Sequence, residues 1–293
     1  MSTEAPETTS EDAPPAAPQV GFPKKVLFWI AGIAIALWAF ALYTGSIVVI
    51  SIVGGLTLVI GFLLLRAYLF IRKQRNVVNI LQGAATGSPE ARRQALGKLE
   101  AGKDANDPTN VFARAQLMAA DDPNAALKLI ESVPLTKYPP GMQDDVSLLK
   151  TQLYLGLGRT ADARKAADTI NLDNPERKQA RPLAASIVAE AWARTGKPKQ
   201  ALALLDSMEV PPKDAEQIAI QARVAKVFAR FAANQRGHAR NELNALADED
   251  VNHLGRFLDP RFKVHPELQK LARQVLEKHP SARKMMKVQA QRR

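Results

Sequence analysis

The side chains through which this chain could do chemistry are four histidines, three acidic clusters and an excess of Lys and Arg. The histidines are His238, His253, His265 and His279. A helical zinc site uses two histidines four residues apart with a glutamate between them, and no pair here has that spacing. Each histidine reads as a surface or capping residue, and His279 precedes Pro280 near a helix end, where positive charge suits the dipole. Paired acids can serve acid–base work. Here Asp121-Asp122, Asp144-Asp145 and Asp248-Glu249-Asp250 fall at expected helix starts or turns, where acids satisfy free backbone N–H groups. No glycine-rich phosphate loop occurs, and the absence of cysteine removes thiolate catalysis, disulfides and iron–sulfur ligation. The sequence therefore offers no catalytic residue, no metal ligand and no cofactor site, and it reads as non-enzymatic.

The basic residues are more telling. Lys and Arg number 40 against 29 Asp and Glu. Only Lys24, Lys25 and Arg66 precede Arg72, so the excess lies in the later part of the chain. Arg223, Lys226 and Arg230 share one expected helical face. Arg283, Lys284, Lys287, Arg292 and Arg293 end the chain with no acid after Glu277. These eight are candidates for an anionic surface, either lipid headgroups, at about 1 kcal/mol per residue held there, or an acidic partner. Nucleic acid is disfavoured, because few aromatics accompany the charges and no recognition fold is evident.

The elements that must position these residues begin with two uncharged apolar segments, 26–43 and 47–65, joined by Thr44-Gly45-Ser46. At 1.5 Å per residue each reaches about 27–29 Å, the thickness of a bilayer's hydrocarbon. Lys24 and Lys25 lie before them, Arg66, Arg72, Lys73 and Arg75 at or beyond their end, and the connecting turn has no basic residue. The positive-inside bias then puts both termini in the cytoplasm. Arg66 can carry its head to the interface along an apolar stem. A cleaved signal at Ala39-Phe40-Ala41 would leave the second segment still needing a bilayer, and a soluble helix pair would need a polar face that neither segment has. Ser51/Gly55 and Thr57/Gly61 suit close packing of the two spans. Residues 1–23, with five prolines, have almost nothing to bury and read as a disordered tail.

From about residue 88 apolar residues recur three and four apart, and no stretch alternates as a strand does. Ala126, Ala163, Ala201 and Ala239 stand 37, 38 and 38 residues apart, the period of a helix–turn–helix unit. Tyr154 precedes Gly158 by four and Ala163 follows it by five; Trp192, Gly196 and Ala201 repeat the spacing. The aromatics fill the space between paired helices, the glycines can end a helix in the left-handed conformation, and the alanines admit a close second helix.

With these motifs, closed by Pro175 and by Pro211-Pro212, residues 107–250 resemble the tetratricopeptide repeat (TPR) family. The period exceeds that family's usual 34. The first unit has Asp-Asp-Pro for its turn, and the last has Asn234 at the glycine position and Arg230 at the aromatic one. The resemblance implies an all-α solenoid of helix–turn–helix repeats that binds a protein partner in its groove. A membrane hairpin followed by such repeats also resembles the architecture of HemY-like bacterial inner-membrane proteins, which implies that location and transfers no activity. The expected layout is a tail (1–23), a transmembrane hairpin (24–75), a juxtamembrane helical connector (76–106), repeats (107–250), and a C-terminal helix with a basic tail (251–293).

Overall fold

The computed structural model describes residues 24–47, 51–62, 65–66, 89–102, 104–209 and 215–280, and every regular element among them is helical. The expected tail, residues 67–88 of the hairpin's end and the connector, and Arg283, Lys284, Lys287, Arg292 and Arg293 lie outside these residues. The chain divides into two compact units, 1–79 and 80–293.

In the first unit, helix α1 (Lys24–Thr44) is followed by a helical stretch α2 (51–62). The chain turns at Gly45, whose φ of +59° lies where side chains are strained. The indole N–H of Trp38 donates to Thr57 Oγ1 at 3.2 Å, tying α2 back to α1, and Thr57 donates onward to the Val53 carbonyl at 2.7 Å. Ala41 and Val53 are buried, whereas Trp29, Ile33, Ile35, Phe40, Ile52, Leu58 and Phe62 are exposed. Among the described residues, every exposed large apolar side chain lies between Trp29 and Leu65. No helix of the described residues is long and apolar enough to cross a membrane. The side chains at 24–28, 30, 31 and 34 and the chain at 48–50 and 63–64 are not among them, so both expected spans fall partly outside.

The second unit opens with α3 (Pro89–Ala101) and continues as four helix pairs. These are α4 (Pro108–Met118) with α5 (Pro123–Glu131), α6 (Pro140–Gly156) with α7 (Thr160–Ala167), α8 (Arg181–Ala193) with α9 (Pro198–Asp206), and α10 (Ala215–Ala232) with α11 (Arg236–Glu249). Then come α12 (Gly255–Leu258), between 3₁₀ turns at Val251–Leu254 and Pro260–Phe262, and α13 (Pro266–Lys278). Proline recurs in the first turn of α4, α5, α6, α8, α9 and α13, where its missing N–H costs nothing. Asp107 and Asp122 cap α4 and α5, accepting from Thr109 N at 3.0 Å and Ala125 N at 2.9 Å. His265 caps α13 through Nδ1, 3.2 Å from Glu267 N. Asp250 likewise accepts from Asn252 N at 2.8 Å at the start of the 3₁₀ turn that follows α11, whereas the pair in α6 acts inside its helix. Asp144 accepts from Asn171 N at 3.0 Å and Asp145 pairs with Arg177, so both hold the loop after α7 rather than the start of α6.

Within each pair the helices pack together, and α5, α7 and α9 each also pack on the first helix of the next pair. The first helices α6, α8 and α10 lie side by side. One apolar cluster gathers Ile130, Tyr138, Leu155 and Ile187; another gathers Phe228, Leu243, Leu246 and Phe257. Trp192 and Leu204 pack against both, so the core runs on through the array. Each such side chain stabilises the fold by about 1.5–3 kcal/mol when fully buried. Buried hydroxyls inside the helices bond to their own backbone: Thr151 donates to the Ser147 carbonyl and Ser186 to that of Pro182.

Candidate functional site

The repeat is built by one recurring turn. After α6, Gly158 takes φ +67°; Arg159 N donates to the Tyr154 carbonyl at 2.8 Å and Gly158 N to that of Leu155 at 3.2 Å. This pair of bonds satisfies the last carbonyls of the helix and requires the left-handed residue between them. After α8, Gly196 takes φ +83° and Lys197 N donates to the Trp192 carbonyl at 3.0 Å. After α10, Asn234 takes φ +65°, with Gln235 N donating to Arg230 O at 2.8 Å and Asn234 N to Phe231 O at 3.0 Å. Asn234 thus does the work of the two glycines, because its short polar side chain tolerates that region. The chain turns there and not at Gly237, which lies inside α11. Ala126, Ala163, Ala201 and Ala239 are fully buried, and each donates the first helical bond of its helix to the residue four before it.

The aromatic positions diverge in chemistry. Tyr154 is buried, its hydroxyl donates to Glu131, and the Arg159 guanidinium lies 4.7 Å from its ring centre. Burial, then the bond to Glu131, pushes its pKa up to about 12. Trp192 donates from Nε1 to Asp168 Oδ1 at 2.9 Å and lies beneath Arg164. Burial raises the Asp168 carboxyl, but the hydrogen bonds from Arg164 and Trp192 outweigh it and hold the group below its ordinary value. Arg230 replaces an aromatic in the last pair, and Glu242 on α11 faces it at 3.5 Å.

The three candidate basic residues of α10 all face acids. Arg223 pairs with Glu249 and, at 3.7 Å, with Glu242. Lys226 lies 4.0 Å from Asp206 of α9. Arg230 shares Glu242 and bonds Gln235 at 3.2 Å. Among the histidines, His279 meets Asp248 at 3.2 Å, and no group of His, Asp or Glu among the described residues is arranged to hold a metal ion.

A dense polar network that the sequence motifs do not mark centres on α8. Glu190 of α8 is fully buried. Its Oε1 accepts from Arg194 Nη1 at 3.3 Å; its Oε2 accepts from Arg256 Nη2 at 2.6 Å and from Gln221 Nε2 at 3.1 Å. Arg194 also donates to the Leu155 carbonyl at 3.3 Å and the Phe262 carbonyl at 2.5 Å, and stacks 4.9 Å from the centre of the Phe228 ring. Burial holds the Arg194 guanidinium below its ordinary value, and Glu190 offsets only part of that shift. Every one of these partners comes from a first helix (α6, α8, α10) or from the segment after α11. None comes from α7, α9 or α11, so the network lies on the inner face that the second helices leave uncovered. One signal for it stood in the sequence: Glu190 is the only charge between Arg181 and Arg194 in an otherwise apolar helix.

This geometry defines an array of TPR-like helix pairs. Residues 117–187 match the tetratricopeptide repeat family, which takes in the end of α4 through the middle of α8. No curated protein and no solved structure matches the chain. The described residues are thus all-helical, and residues 117–187 are similar to tetratricopeptide repeats, which generally mediate protein–protein interaction.

Proposed function

We propose that this protein is a non-catalytic adaptor, anchored in the bacterial inner membrane by residues 26–65, that holds a TPR-like array in the cytoplasm to bind a protein partner. The observation that carries the reading is the partition of exposed apolar surface. Large apolar side chains are exposed only between Trp29 and Leu65 among the described residues, next in sequence to an array whose apolar side chains are covered. Such a surface needs hydrocarbon around it, and the basic residues on its two flanks favour a cytoplasmic array.

The test is photo-crosslinking in intact membranes from Gln152, an exposed residue of α6. A specific protein adduct, in a chain that resists alkaline extraction from membranes, is expected. No adduct from this position, or a chain released by carbonate, overturns the reading.

A second reading, binding to anionic lipid, rests on Arg283, Lys284, Lys287, Arg292 and Arg293, since Arg223, Lys226 and Arg230 face acids. Neutralising those five C-terminal residues should weaken binding to anionic vesicles by about 1 kcal/mol each at low salt. Unchanged binding ends this alternative.

A further inference from the structure

The inner face of the last two pairs is filled by the chain itself. Residues 254–263 cross it between α11 and α13. Arg256 reaches Glu190 at 2.6 Å and Gln221 at 3.4 Å. Phe257 is fully buried, its ring centre 5.2 Å from that of Phe228. The Phe262 carbonyl receives Arg194. Lys263, itself at φ +46°, lays its stem against Gly158, where a Cβ would come within 2.7 Å of it. The crossing is made of 3₁₀ turns and one short helix, and it does not repeat the paired pattern before it.

We propose that residues 254–263 are a built-in ligand: they occupy the seat that an arginine-plus-aromatic segment of a protein partner takes, and the partner enters when this strap leaves. The inference rests on the adaptor reading and names its partner's chemistry. The guanidinium addresses Glu190 and Gln221; the ring addresses Phe228. Two features make the seat able to open. First, Glu190 keeps Arg194 from its own helix and Gln221 from α10 when Arg256 withdraws, so no buried charge is stranded. Second, the Arg256 side chain is 27% exposed against 5% for Arg194 and 0% for Glu190, so a competing guanidinium can approach the strap's contact from outside. An occupied seat lowers apparent affinity by the fraction of time it is open, so loosening the strap must raise it.

The experiment uses the full-length chain in mild detergent and a fluorescein-labelled peptide of residues 252–264, read by anisotropy. Arg256→Ala in the protein should tighten peptide binding by about tenfold or more, which corresponds to about a tenfold larger fraction of open seats. Arg256→Ala in the peptide, or Glu190→Gln added to the loosened protein, should abolish it. A folded Arg256→Ala protein that binds no better than the wild type, or that binds both peptides equally, overturns the proposal. Hydrogen exchange on the unaltered protein gives a check that needs no variant: the strap should exchange at least about tenfold faster than α8, and equal protection overturns it. Peptide failure alongside a protein adduct from Gln152 sinks the strap alone; peptide binding without an adduct supports the strap and sinks the membrane adaptor.

Discussion

Gly158 and Gly196 occupy the same place in successive pairs, yet they should respond differently to a methyl group. Both have positive φ, so alanine costs about 1–2 kcal/mol at either from backbone strain. At Gly196 nothing lies within 4 Å of the added Cβ, whereas at Gly158 it meets Cγ of Lys263 at 2.7 Å. Urea melts should therefore rank Gly158→Ala below Gly196→Ala, and Lys263→Gly, which also removes the Lys263 Cβ at 2.8 Å, should erase the difference. Equal losses would mean that Lys263 yields freely. The tyrosines give a second residue-level expectation. Burial pushes Tyr138 up to about 12, and Tyr154 is raised to the same value. Raised tyrosine values favour the neutral form in the folded protein. Their contribution is whole below about pH 10, the unfolded value, and is lost as pH rises through 12. Absorbance at 295 nm should show two of the four tyrosines ionising only as the protein unfolds in alkali. The glycines and aromatics were legible in the sequence because one backbone geometry demands them. Asn234 was legible only as a gap in a pattern, since asparagine enters the left-handed region at turns of many kinds.

At the scale of elements, Asp168 is the joint between α7 and α8. It receives Trp192 at 2.9 Å and Arg164 at 2.7 Å. Trp192→Phe keeps the apolar contact and removes one hydrogen bond, for a loss of about 1 kcal/mol. The folded Asp168 value is lowered, so its contribution is whole above the ordinary 3.8 and fades as pH falls through the folded value. Thermal melts of wild type and Trp192→Phe should thus converge as pH drops from 6 towards 2.5, and a constant gap would show that the carboxylate plays no part. The helical character and the pairing of helices could be read from apolar periodicity and from the 37- and 38-residue spacing of Ala126, Ala163, Ala201 and Ala239. The destination of the basic face on α10 could not. Arg223 and Arg230 recur at spacings that turn them toward α11, and only folding brings Glu242 and Glu249 opposite them. A row of cations along one helix carries no information about acids twenty residues away until the two helices pack.

At the scale of the array, Glu190 joins α8 and α10 to the strap. Removing it leaves Arg194 buried without its carboxylate, so Glu190→Ala should cost about 3–5 kcal/mol in denaturant unfolding. A loss below 1 kcal/mol would show that water replaces the acid. A solenoid ordinarily links only neighbours, and its sequence can be read one repeat at a time. This one also contains a contact between residues 66 apart, Glu190 and Arg256, which no repeat pattern announces. That separation bears on how the protein is made. Translation at about 5–20 residues per second puts roughly 3–13 s between the synthesis of the acid and that of its distant arginine. Within that interval, once Gln221 and Phe228 are made, Glu190 holds Arg194 and Gln221 while the place of Arg256 stands open, and a partner waiting near the ribosome would find the cradle vacant before the chain's own cover exists.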